Sequence, residues 1–149
     1  MSDAWGRGGG TGAPAVTAVL ETCVYLDDLD RASRFYETLF GWKLMDGDQR
    51  LRAYGVAPGS VLLLFKRGAT AKPVSTPGGV IPGHDGVSGG HIAFSIPATD
   101  WDAWLDRLEE RGIKVEQIVR WPRGGQSLYF RDPEQNLVEL ATPGLWAVY

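Results

Sequence analysis

Two stretches of this chain, about 70 residues apart, carry the same order of apolar and polar residues, and a chain that repeats a supersecondary unit is bound to a duplicated architecture. The first runs through Glu21-Thr22-Cys23-Val24-Tyr25-Leu26, Leu29-Asp30-Arg31-Ala32 and Gly41-Trp42-Lys43-Leu44. The second runs through His91-Ile92-Ala93-Phe94-Ser95-Ile96, Asp100-Trp101-Asp102-Ala103 and Gly112-Ile113-Lys114-Val115. Each copy reads as a strand, a helix and further extended segments. In the first helix Leu29, Ala32, Phe35, Tyr36, Leu39 and Phe40 recur at helical spacing, with Asp28 as N-cap and Gly41 as stop. In the second, Trp101, Trp104, Leu105 and Leu108 share a face, Thr99 or Asp100 caps it and Gly112 ends it. Its other face, Asp106, Arg107, Glu109, Glu110 and Arg111, reads as solvated surface. Three strands follow each helix: Trp42 to Met45, Leu51 to Val56 and Val61 to Phe65, then Lys114 to Trp121, Ser127 to Arg131 and Leu137 to Ala141. Pro58-Gly59 and Asp132-Pro133 supply the turns before each last strand.

These patterns predict an α+β fold of about eight strands, each sheet covered on one side by a helix. Residues 17–149 form a single domain of two modules, 17–67 and 91–145, and the Gly-rich residues 1–16 a flexible leader. Residues 68–90, rich in Gly and Pro and without period, read as a linker, the alternative being a loop that covers a site. Composition narrows the functional classes. A net charge of −3 argues against a nucleic-acid partner. No apolar run approaches the roughly 20 residues of a membrane helix, so no membrane partner is expected. The single cysteine, Cys23, rules out an internal disulfide and fits a reducing cytoplasm.

Strand alternation sorts the polar residues by face. Val24 and Leu26, and likewise Ile92, Phe94 and Ile96, belong under the helices, which leaves Glu21, Cys23 and Tyr25, and His91, Ala93 and Ser95, on the uncovered concave face. In the last strand Val138 and Leu140 turn inward and Glu139 lies on the concave side. A carboxylate amid Leu137-Val138-Glu139-Leu140-Ala141 needs a metal or a cation, since an unpaired buried charge is costly. Counting from the prolines places Leu62 or Leu64 at the first-module position matching Glu139. Glu21, His91 and Glu139 are thus three candidate ligands for one divalent ion with open positions, a pattern of catalytic rather than structural sites. Glu21 has a second role open to it, as an acid/base group. An arginine such as Arg123 or Arg131 is the alternative partner for Glu139. His84 reads as an exposed loop residue or a substrate contact, and Cys23 as a small filler.

The runs Tyr25-Leu26-Asp27-Asp28-Leu29-Asp30-Arg31-Ala32, Gly90-His91-Ile92-Ala93-Phe94 and Tyr129-Phe130-Arg131-Asp132-Pro133-Glu134-Gln135-Asn136-Leu137-Val138-Glu139-Leu140 resemble the vicinal oxygen chelate superfamily, which includes glyoxalase I, extradiol dioxygenases, fosfomycin-resistance thiol transferases and bleomycin-binding proteins. The resemblance implies paired βαβββ modules curling into a half-barrel, with helices on the outer face, around a metal that chelates adjacent substrate oxygens. His91 and Glu139 match the second-module ligands, and Glu21 stands where many members have histidine. The resulting two-carboxylate-one-histidine set suits Mn²⁺ or Mg²⁺, with Zn²⁺, Ni²⁺ or Fe²⁺ as alternatives. The resemblance further implies a small-molecule substrate, a homodimer with a shared site, and substrate contacts from Arg123, Ser127 and Tyr129. The function expected is that of a metal-dependent lyase, thiol transferase or dioxygenase; the alternative is a metal-free, bleomycin-resistance-like binding protein.

Overall fold

The computed structural model describes residues 14–149; all but the end of the leader expected for residues 1–16 lies outside the described residues. The first module consists of β1 (Glu21–Leu26), α1 (Leu29–Phe40), β2 (Leu44–Gly47), β3 (Leu51–Ala57) and β4 (Ser60–Lys66). The strands order as β1-β4-β3-β2, with β1 parallel to β4. After a short hairpin, β5 (Val74–Thr76) and β6 (Gly79–Ile81), the second module repeats the plan in β7 (His91–Ser95), α2 (Trp101–Glu110), β8 (Gln117–Arg120), β9 (Gln126–Arg131) and β10 (Leu137–Ala141). Its order, β7-β10-β9-β8 with β7 parallel to β10, reproduces the first. The fold is therefore the expected α+β pair of βαβββ modules, its sheets open rather than closed into a barrel.

Local chemistry explains the helices. The Asp28 side chain accepts from the Arg31 backbone N–H at 3.0 Å and opens α1. Gly41, at φ +72°, ends it, donating its N–H to the Glu37 carbonyl. Asp100 occupies the N-cap of α2, but its side chain makes no capping bond. Val24, Leu26, Leu62 and Leu64 of the first sheet and Ile92, Leu128, Phe130, Val138 and Leu140 of the second enter one continuous core with Tyr36 and Leu39 of α1. An aromatic row seals the join: Phe40 stacks on Trp42 with centroids 4.3 Å apart, and Phe94 and Trp104 lie 5.1 and 5.4 Å from Phe40.

Two expectations need correction. Leu62 and Leu64 both point into the core; the residue matching Glu139 is Leu63, because Cys23 pairs with Leu63 as Ala93 pairs with Glu139. The proline count misled because the turns differ in length: Ala57 pairs with Ser60, whereas Arg131 pairs with Leu137 across a longer turn. Arg107 is not solvated surface, since its guanidinium donates to the Leu39 and Thr38 carbonyls at 2.5 and 3.0 Å. Residues 68–90 join the modules and, within that connection, fold back on themselves. Thr70 Oγ1 donates to the His84 carbonyl at 2.7 Å, and the His84 N–H returns a bond to the Thr70 carbonyl at 2.9 Å.

Candidate functional site

The second sheet brings His91 and Glu139 together by register. His91 pairs with Leu137, two residues before Glu139, so both side chains rise from the same concave face. His91 Nε2 lies 3.2 Å from Glu139 Oε2, with the histidine half exposed and the carboxylate almost wholly buried. His91 Nδ1 is 3.0 Å from the Leu137 carbonyl. A carbonyl can only accept, so Nδ1 carries the hydrogen and, in the neutral ring, Nε2 turns its lone pair to the carboxylate. Two acceptors that close require a proton or a cation between them.

Glu139 is 4% exposed, and Tyr129, its direct cross-strand partner, donates its hydroxyl to Oε1 at 3.1 Å. Burial pushes the Tyr129 phenol up, with the charge and hydrogen bond of Glu139 acting in the same sense and the Ser127 hydroxyl opposing them. The phenol is therefore a firm donor at neutral pH. Arg131 is committed elsewhere, to Glu116 Oε1 at 3.1 Å and to the Gln135 carbonyl at 3.1 Å. Arg123 is exposed in the turn before β9 and forms no ion pair among the described residues. Neither arginine neutralises Glu139. Ser127 is fully buried, its Oγ accepting from Trp121 Nε1 at 2.8 Å.

Glu21 lies on the matching edge of the other sheet, exposed at the start of β1. Among the described residues no three His, Cys, Asp or Glu side chains of one chain gather closely enough to share an ion, so Glu21 does not join His91 and Glu139 within the chain. Cys23, next along this face, is a weak nucleophile: desolvation and the charge of Glu21 both push its thiol up. His84 is exposed but engaged, with Nδ1 2.6 Å from the Tyr25 hydroxyl and its ring edge-on to Phe65 at 4.9 Å. Sequence reasoning missed the Leu137 carbonyl as the group orienting His91. Strand pairing alone reveals it.

Donor chemistry fits a divalent ion at the His91–Glu139 pair, one imidazole lone pair beside one shielded carboxylate, with a backbone carbonyl and a phenol holding the two ligands. Comparisons with known proteins agree with the fold. Residues 18–140 match the Glyoxalase/Bleomycin resistance protein/Dioxygenase superfamily. The chain is 23% identical over 128 residues to the metallothiol transferase FosB of Staphylococcus epidermidis, covering 85% of this chain and 82% of the relative. A crystal structure of lactoylglutathione lyase from Agrobacterium tumefaciens superposes with a TM-score of 0.81 at 34% identity, covering 90% of this chain and 99% of that one. The fosfomycin resistance protein FosX of Listeria monocytogenes shares the fold at 17% identity, with a TM-score of 0.63 over 88% of this chain and 97% of its own. With the duplicated βαβββ plan and most of its length matched, the chain belongs to the glyoxalase/bleomycin resistance protein/dioxygenase superfamily.

Proposed function

We propose that this protein is a metal-dependent enzyme acting on a small molecule with two adjacent oxygens, in which His91 and Glu139 of one chain and Glu21 of a second copy hold one divalent ion. The observation that carries the reading is the 3.2 Å approach of His91 Nε2, whose other nitrogen is committed to Leu137, to the buried carboxylate of Glu139. Bound there, a divalent ion supplies Lewis acidity, polarising a substrate oxygen and stabilising the negative charge that develops on it. The chain's own residues set the conditions. The Leu137 carbonyl fixes the ring of His91, and Tyr129 holds Glu139 Oε1, leaving Oε2 toward the imidazole. Tyr129 also stands on the open face where a substrate would lie and Arg123 is exposed on the loop beside it, whereas Ser127, fully buried and bonded to Trp121, is closed to a direct contact. Two carboxylates and one imidazole suit Mn²⁺ or Mg²⁺, and Zn²⁺, Ni²⁺ or Fe²⁺ accept the same donors. One unpaired cysteine is consistent with work in the cytoplasm.

A protonated His91 would satisfy the same contact as an ion pair with Glu139. That is the metal-free binding protein, and metal analysis separates the two. Protein purified without chelators or a His-tag should hold about one divalent ion per site, and Glu139→Ala should lose it. A native protein free of metal, with no thermal shift on adding any of the five ions, would establish the binding protein instead.

A further inference from the structure

A groove of about 490 Å³ lies between the concave face of the first module and the β5–β6 hairpin. Ala53, Val61, Leu63 and Phe65 form its floor, and Val74 and Ile81 of the hairpin its roof. The roof is held in place. Gly86 packs against the Tyr25 ring and Gly83 against the Ala71 carbonyl, each with no room for a Cβ, and the Thr70–His84 bonds close the loop. Tyr25 stacks on Phe65 at 5.6 Å, backing that wall with a second ring. The rim carries little positive charge. Arg50 is occupied by Asp48 Oδ2 at 2.8 Å, and with Glu21 assigned to the ion the groove's lining carries one lysine, Lys72, and one carboxylate, Asp46.

We propose that this groove seats the non-reacting body of the substrate, and that this body is apolar, an aryl or short alkyl group whose adjacent oxygens lie toward Glu21. The inference rests on the metal-centre reading above. The volume falls in the range of small-molecule sites, the floor rewards apolar surface, and Asp46 and Lys72 on the rim offset each other, so an anionic tail meets no net counter-charge there.

Hydroxamates offer a metal two adjacent oxygens and differ only in the tail, so metal-loaded full-length protein is titrated calorimetrically with acetohydroxamate, benzohydroxamate and succinohydroxamate. Benzohydroxamate should bind about tenfold or more tighter than acetohydroxamate, and succinohydroxamate no tighter than acetohydroxamate. Leu63→Ala, which removes floor surface without adding a charge beside Glu21, should lower the benzohydroxamate-to-acetohydroxamate ratio by about threefold or more. Ile81→Ser, at a position 52% exposed and so tolerant of change, should lower it by about threefold, and both variants should keep their metal. Equal affinities for all three probes on metal-bound protein, or a preference for succinohydroxamate, overturn the groove assignment while the metal centre stands. A protein that takes up no metal overturns the metal-centre reading and the inference with it, and metal-bound protein that binds no probe overturns the reading that the ion takes two adjacent oxygens, and with it the inference. An Ile81→Ser protein that changes its sedimentation and not its probe ratio shows that a second copy, not substrate, covers the groove.

Discussion

Glu139 shows what strand alternation can and cannot disclose about a single residue. A carboxylate at the centre of an apolar strand announces a partner, and alternation puts it on the face of His91. That its lone pairs are shared between Tyr129 and His91 depends on the pairing of β9 with β10 and of β10 with β7. Glu21 is the residue whose part is most open to test. As a ligand, Glu21→Gln should weaken metal binding without disturbing the fold, because Val24 and Leu26 hold β1 to the core, and Glu21→His should retain metal with a shift toward softer ions. As an acid/base group, Glu21→Gln should keep metal affinity and lose about 10² to 10⁴ in rate. Isothermal metal titration of the glutamine variant decides between them. Tyr54 is one of the residues that bear on alkaline stability. Burial, together with the bond its hydroxyl donates to Glu37 Oε1 at 2.8 Å, pushes the Tyr54 phenol up to about 12. A group whose folded-state value is raised binds its proton more tightly in the native chain, so its contribution is complete below the ordinary tyrosine value and is lost as pH rises toward about 12. Denaturant unfolding at pH 9 and pH 11 should show a smaller alkaline loss of stability in Tyr54→Phe than in the parent chain.

At the scale of elements, α1 is held at both ends by the module that follows it. The Glu134 carboxylate accepts from the Asp28 and Asp27 backbone N–H groups at 3.1 and 3.3 Å, placing a negative charge at the helix start. Arg107 meets the carbonyls at the other end, where α1 has no basic residue of its own in the last turn. Tyr36 adds a hydroxyl bond to Asp132 Oδ2 at 2.9 Å in the core. Arg107→Met, which keeps much of the stem and removes the charge, should cost about 1 to 2 kcal/mol by chemical denaturation. An effect within about 0.5 kcal/mol, the ordinary range for surface changes, would show that the contact adds nothing beyond packing. Both helices could be read from spacing and glycine stops, but Arg107 looked like surface because its partner carbonyls lie about 70 residues earlier and belong to another helix. The β5–β6 hairpin was invisible for a related reason: strands of three residues are too short to display a period.

The molecule as a whole has one core and two open sheets. Since α1 packs against both sheets, with Phe35 near Phe130 at 6.4 Å, the modules should unfold in a single transition. Among the described residues strands β1 and β7 each end their sheet without a further neighbour, which leaves backbone groups free to meet a second chain. Those same strands carry Glu21 and His91. Light scattering at micromolar concentration should give twice the 16.2 kDa chain mass. If the site is shared, mixing Glu21→Gln chains with Glu139→Ala chains should restore metal binding at about half the sites of the mixed dimer, because one of its two sites then has every ligand. A strict monomer, or mixed chains that bind no more metal than either variant alone, would refute sharing.

Residue order alone established the duplicated modules, the helix stops at Gly41 and Gly112 and the concave placement of Glu21, His91 and Glu139, because capping, helical period and strand alternation are local and act within a few residues. Which leucine matches Glu139 was settled by turn length, since a shift of one residue reverses every side chain of a strand. The orientation of His91 by Leu137, the capping of α1 by Glu134 and Arg107, and the separation of Glu21 from its fellow candidates within one chain were decided by tertiary structure. Each depends on groups distant in sequence, whose meeting is set by how two sheets bury their apolar faces against shared helices.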